Sequence, residues 1–191
     1  MNAVVMCDKD GCIGINDNQV IHLKRDLENF QSITNDKVIV YGRKTLNTFP
    51  GKKPLKNRTN IIISSTLRDE DFMSIPNINI HVMSLNDVIL LPKYVDTDDI
   101  FIIGGESIYN QMLPWINKIH MTYIDKSFRD IYMEIGKKYY PNGVYAGIQK
   151  AAYLDKEYLD NKFFTDATKR MDYCKELECD FETTYMIKTR K

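Results

Sequence analysis

Short apolar runs of four or five residues alternate with stretches in which apolar positions recur every three to four residues. That alternation predicts an α/β chain with a largely parallel sheet. Ala3 to Cys7 is the first run and gives way to a polar turn, Asp8 to Gly11. From Arg25 the spacing is helical, with Leu27, Phe30, Gln31 and Ile33 in step until Asn35-Asp36 closes the segment. Val38-Ile39-Val40-Tyr41 reads as a buried strand ending at Gly42, and a short helix from Arg43 to Thr48 is stopped by Pro50-Gly51. Ile61-Ile62-Ile63 and Ile80 to Met83 are further strands, and Ser84 with Asp87 three residues on makes a capping box for a helix over Val88 to Leu91. Ile100 to Ile103 runs into Gly104-Gly105, after which a helix carries Ile108, Tyr109 and Met112 as far as Pro114. Lys118 to Ile124 and Thr183 to Thr189 alternate as strands. Between them, Asp155 to Asp180 is charged and tyrosine-rich without a period, which predicts an insertion around 155–180 or a surface helix before the last strand.

Composition narrows the class. A chain of 191 residues, 43% hydrophobic and 27% charged, is that of a globular protein with one core, and a single domain over 1–191 is expected. Basic and acidic residues both total 26, so no net positive charge is available for nucleic-acid phosphates or an anionic membrane, and small-molecule chemistry is favoured. The N-terminus lacks a basic region ahead of an apolar run, and no segment approaches the ~18 apolar residues of a membrane span. A soluble, intracellular, cytoplasmic protein is expected, acting as a monomer. Cys7 and Cys12, like Cys174 and Cys179, are separated by four residues, which is not the spacing of a zinc knuckle. Reduced thiols and no metal are the expectation.

Candidate chemistry gathers where strands end. Gly104-Gly105 after an apolar strand would let a backbone approach a phosphate at a helix start, although a tight packing turn fits as well. Arg43-Lys44-Thr45 after Gly42 combines guanidinium and hydroxyl at another helix start, with a solvated basic turn as the plain alternative. Ser64-Ser65-Thr66 ends a third strand, and open α/β sheets bind ligands at the carboxyl ends of their strands. Asp26 stands at the start of a helix among Ile21, Leu23, Leu27 and Phe30. It is either a first-turn carboxylate favoured by the helix dipole or a carboxylate held in an apolar cleft. Arg58 is either a surface arginine or a bidentate partner for a ligand carboxylate.

Taken in order up to about Ile124, these segments resemble the dihydrofolate reductase family. Ile13-Gly14-Ile15 followed by Leu23-Lys24-Arg25-Asp26-Leu27 resembles its mobile loop and acidic helix, and Val38 to Thr45 its cofactor strand and helix. Pro54-Leu55-Lys56-Asn57-Arg58 with Asn60 to Ser65, Phe101 to Tyr109, and Met121-Thr122-Tyr123-Ile124 resemble its later motifs, and Lys138-Tyr139-Tyr140-Pro141 its aromatic-proline segment. The resemblance implies a central mixed, mostly parallel twisted sheet flanked by helices, and NADPH-dependent reduction of dihydrofolate to tetrahydrofolate. It implies that Asp26 binds the pterin and promotes its protonation, with Thr122 orienting the carboxylate. Val4, Val5, Leu27, Phe30, Phe49, Leu55, Ile103 and Tyr109 would line the substrate pocket, and Arg58 would take the glutamate tail. Met6, Ile13, Gly14, Arg43, Lys44, Thr45, Ser64, Ser65, Thr66, Ile103, Gly104, Gly105, Glu106, Ser107, Ile108 and Tyr109 would take the cofactor, with Gly104-Gly105 resembling the family's cis glycine pair. Arg43 and Lys44 favour the extra phosphate of NADPH over NADH.

Two departures stand out. Ile21 occupies the place of the family's usual tryptophan, a position counted with the catalytic ones, and Val20 that of a proline; Trp115 lies elsewhere. Two alternatives follow: a low-activity folate- or nucleotide-binding protein of the same fold, and a reductase acting on a pyrimidine of the riboflavin pathway. Asp26 and Arg58 suit a pterin with a glutamate tail better than that pyrimidine. One reductase domain consumes 191 residues, so no thymidylate synthase partner is expected within them.

Overall fold

The computed structural model describes residues 1–76, 78–140 and 147–191, so Pro141 of the aromatic-proline segment lies outside the described residues. In chain order the elements are β1 (Asn2–Asp8), β2 (Cys12–Ile15), α1 (Lys24–Thr34), β3 (Val38–Gly42), α2 (Arg43–Leu46), β4 (Thr59–Ile63), β5 (Asn79–Met83) and α3 (Leu85–Leu90). There follow β6 (Ile100–Gly104), α4 (Glu106–Met112), β7 (Lys118–Ile124), α5 (Phe128–Tyr139), β8 (Ala151–Tyr153), α6 (Lys156–Lys162), β9 (Phe163–Cys174) and β10 (Cys179–Arg190). The architecture is α/β, with a mixed, mostly parallel sheet flanked by helices, as the alternation of runs predicts. Contacts gather in two compact units, one of Met1–Val4 and Phe30–Ile119, the other of Val5–Asn29 and His120–Lys191.

In the first unit the strands follow the order β5-β4-β3-β6-β1, and every pair is parallel. Strands covered on both faces need continuous apolar runs, which is why Ile39, Val40, Tyr41, Ile62, Ile100 and Ile102 have no exposed surface. Each such side chain contributes about 1.5–3 kcal/mol by leaving water. Ser84 caps α3 as the sequence predicts: its Oγ accepts from the Asp87 N–H at 3.2 Å while Asp87 Oδ2 accepts from the Ser84 N–H at 3.3 Å. Asn60, also without exposed surface, bonds Leu55 in both directions, accepting from its N–H at 3.0 Å and donating to its carbonyl at 2.8 Å, and accepts the Tyr41 hydroxyl proton at 2.9 Å. Those bonds hold the loop that carries Leu55 and Arg58.

In the second unit the order is β1-β7-β10-β9, and β2 pairs with β8 in a small antiparallel sheet. Its core gathers Met6, Cys12, Ile15, Val20, Ile21, Leu23, Ile124, Phe128, Ile131 and Cys174. The buried Asp8 carboxylate accepts three backbone protons, from Asp10 at 2.9 Å, Cys12 at 2.8 Å and Phe128 at 2.7 Å, and so ties the end of β1 to the start of α5. The 155–180 stretch forms α6 and then β9, which runs antiparallel to β10 in an unbroken register from Phe163 opposite Arg190 to Cys174 opposite Cys179. All four cysteines are free thiols, and burial pushes Cys7 up to about 12, so it stays protonated. Among the described residues no helix is long and apolar enough to cross a membrane.

Candidate active site

In the second unit the candidate carboxylate is Asp26. It lies in the first turn of α1, half-buried, with Leu27 beside it 40% exposed. Thr122, buried in the middle of β7, hydrogen-bonds the Asp26 carboxyl. Burial is the largest influence on that carboxyl and raises its pKa; Thr122, Arg170 and His22 lower it, while Asp172 raises it. Burial wins, so Asp26 titrates above the ordinary aspartate range. Val5 and Met6 of β1 are buried near the start of the unit, and Ile13 and Gly14 lie on β2. A Cβ on Gly14 would stand 2.7 Å from the Asn18 carbonyl oxygen, closer than any side chain can sit, so only glycine fits there. Ile21 has no exposed surface and packs in the core cluster.

The segment that delivers Asp26 is clasped by residues that the sequence patterns do not single out. Asp172 of β9 accepts from the backbone N–H of Arg25 at 2.9 Å and of Asp26 at 3.2 Å, doing for α1 what a capping side chain does from within the helix. Glu176 accepts from the His22 N–H at 3.0 Å and meets His22 Nδ1 at 2.6 Å, and Leu23 bridges Cys174. A polar period of two, Arg170-x-Asp172-x-Cys174, is the one signal that could have found them.

The first unit holds two further groups. Val4, Ile103, Phe30, Phe49 and Leu55 share an apolar cluster, and Tyr109 donates its hydroxyl proton to the Val4 carbonyl. Arg58 lies 5.6 Å over the Phe30 ring, donates from Nε to Thr34 Oγ1 at 2.9 Å and from Nη1 to the Lys56 carbonyl at 2.7 Å, and burial lowers its pKa. A guanidinium held this way has its plane fixed, as bidentate recognition of a carboxylate requires. The other group lies at the ends of β3, β4 and β6. Arg43 Nη1 donates to Thr66 Oγ1 at 3.3 Å, and Ser64 Oγ accepts from the Thr66 and Leu67 N–H groups at 3.1 and 3.0 Å; Lys44 and Ser65 are exposed alongside in sequence. The Gly104-Gly105 peptide is cis, and α4 follows with Glu106, Ser107 and Ile108 in its first turn. Added Cβ atoms would meet the Tyr109 ring at 3.0 Å from Gly104, Thr45 Oγ1 at 3.3 Å from Gly105, and Ile108 Cγ1 at 3.2 Å from Gly42. Bare backbone, hydroxyls and a guanidinium together make a donor set suited to phosphate.

Comparison with known proteins gives this arrangement its family. The family model described as Dihydrofolate reductase matches residues 1–146. Dihydrofolate reductase type 9 of Escherichia coli is 28% identical over 126 residues, 64% of this chain and 68% of that protein. Dihydrofolate reductase of Bacillus subtilis (strain 168) is 31% identical over 121 residues, 63% of this chain and 67% of that one. The solved structure of dihydrofolate reductase from Enterococcus faecalis, complexed with NADP(H) and RAB-propyl, has the same fold, with a TM-score of 0.68 and 19% identity over 100% of this chain and 95% of that one. The chain belongs to the dihydrofolate reductase family.

Proposed function

We propose that this protein catalyses the NADPH-dependent reduction of 7,8-dihydrofolate to tetrahydrofolate, with Asp26 as the carboxylate that binds the pterin. The observation that carries the reading is the Asp26 carboxyl itself, raised by burial yet hydrogen-bonded by Thr122. A carboxylate so held accepts from the amino group and ring N–H of a pterin and stabilises the cation formed when the imine nitrogen is protonated. Thr122 fixes the direction of the carboxylate. When bound, NADPH supplies the hydride. Gly104-Gly105 admits its backbone contacts, and Arg43, Ser64, Ser65 and Thr66 are the donors for its phosphates; Lys44 adds a second cation there. Arg58 is the partner for the glutamate tail, and Ile21, inside the core, acts by packing. The equal numbers of basic and acidic residues support small-molecule partners in place of nucleic acid.

The test is the fall in NADPH absorbance on adding dihydrofolate to the purified chain, beside Asp26→Asn and repeated with NADH. Turnover that is largely lost in Asp26→Asn while NADPH still binds is the expected result. A mutant that loses NADPH affinity as well would count against the role given to Asp26.

A further inference from the structure

Arg170 has a setting that neither the phosphate-binding turns nor the Asp26-Thr122 motif explains. It stands on β9 two residues before Asp172, and therefore on the same face of the strand. Its guanidinium lies over the Tyr185 ring, 5.0 Å from the centroid, and Nη2 donates to Thr122 Oγ1 at 3.4 Å. Its Nε is buried and has no acceptor among the described residues. An N–H without an acceptor in the interior opposes folding, so the side chain is kept there by what surrounds it: the Tyr185 ring, the Thr122 oxygen and the negative charge of Asp26.

Thr122 has a single proton to give and lone pairs to receive. With Arg170 donating to its oxygen, the Thr122 proton is directed to the Asp26 carboxyl. A chain of donors from Arg170 through Thr122 must end on an acceptor, and the ionised carboxylate is the acceptor at its end.

Charge points the same way. Asp26 is faced by Thr122 from β7, by Arg170 and Asp172 from β9, and by His22 from the segment before α1; behind these stand Glu176 on His22 and Tyr185 of β10 under Arg170. Asp172 secures the backbone of Asp26 but sets a second carboxylate near the first. Arg170, from the same strand, offsets it.

We infer that Arg170 is a positioning residue for Asp26, acting through Thr122 and by its charge to keep the carboxylate ionised and aimed for the substrate. The inference rests on the reading of Asp26 proposed above, and its test separates the two. The full chain is labelled with carboxyl-13C aspartate, the Asp26 resonance is identified as the one missing from Asp26→Asn, and its titration is followed by NMR beside the pH profile of dihydrofolate reduction. In Arg170→Met, which keeps the length of the side chain and removes the charge, the Asp26 midpoint is expected to rise by about one pH unit, the lower end of what an adjacent opposite charge does. The pH profile of turnover moves with it, and Arg170→Lys restores most of the shift. An unmoved midpoint in Arg170→Met overturns the inference, as does a midpoint in Arg170→Lys displaced as far as in Arg170→Met. If Arg170→Met does not fold, Arg170→Gln, which removes the charge and keeps a donor for Thr122, is read in the same way. A shifted midpoint in a chain without turnover upholds the role of Arg170 and refutes the proposed reaction.

Discussion

Replacing Asp172 by Asn tests whether α1 is held at its N-terminus from across the sheet. In the native structure both carboxylate oxygens of this buried side chain are occupied, one by the Arg25 N–H at 2.9 Å and the other by the Asp26 N–H at 3.2 Å. The amide keeps one acceptor and turns a donor towards the second N–H, so one charge-assisted bond becomes neutral and the other becomes an unsatisfied donor. A bond to a charged group is worth about 1.5–3 kcal/mol and an orphaned buried N–H costs about 1–3 kcal/mol. Relief of the desolvated charge and of its repulsion with Asp26 returns part of this, leaving a net loss of about 1–2 kcal/mol. For a chain of this length that is roughly 2–8 °C in the unfolding midpoint. Urea and thermal unfolding at neutral pH read the loss directly, and the Asp26 midpoint should fall because a like charge has gone. Unchanged stability, within about 0.5 kcal/mol, would mean that Asp172 does not secure the helix and that the reasoning is wrong.

Two further outcomes are expected. Because burial raises the Asp26 pKa in the folded state, the protonated group contributes stability below its unfolded pKa, and that contribution is lost as pH rises through the folded value. Asp26→Asn should therefore unfold later than the wild type at neutral pH, with the gap closing on acidification; a gap that widens towards acid contradicts the sign. Ile21→Trp, which installs the residue usual in the family, forces an indole into a site with no exposed surface. It should cost about 1–3 kcal/mol in chemical unfolding, and a neutral result would show that the cluster around Cys12, Ile15 and Phe128 has room to spare.

The parts of the fold that are plain in the sequence are those where burial is continuous. Val38-Ile39-Val40-Tyr41 and Ile100 to Ile103 are strands because both faces are covered, so no neighbouring charge interrupts the run. The helix carrying Asp26 shows its period and ends where expected. Strands β2 and β8, four and three residues long, are too short to register a period, and α5 falls in a tail where charges and tyrosines blur its apolar face. Strand β9 is the instructive omission. Most of its residues are exposed, and those facing inward near the site are an arginine, an aspartate and a cysteine, so a hydrophobic alternation cannot reveal it. Asp26 and Thr122 are legible because they stand in motifs that resemble a family. Arg170 and Asp172 stand in none, and only the pairing of β9 with β10 brings them to the same place.

The side chain of Asn60 has the same two functional groups as a peptide unit, and it binds Leu55 through both, as a neighbouring strand would. It thus stands in for one missing link of sheet at the point where the chain leaves regular structure. Between residues 51 and 57, where no strand runs alongside, the direction of Leu55 therefore hangs on a single side-chain amide. Asp in its place would bury a charge and leave the Leu55 carbonyl without its donor, and Leu would strand both Leu55 groups and the Tyr41 hydroxyl, so loss of the amide would be felt first as a loss of stability.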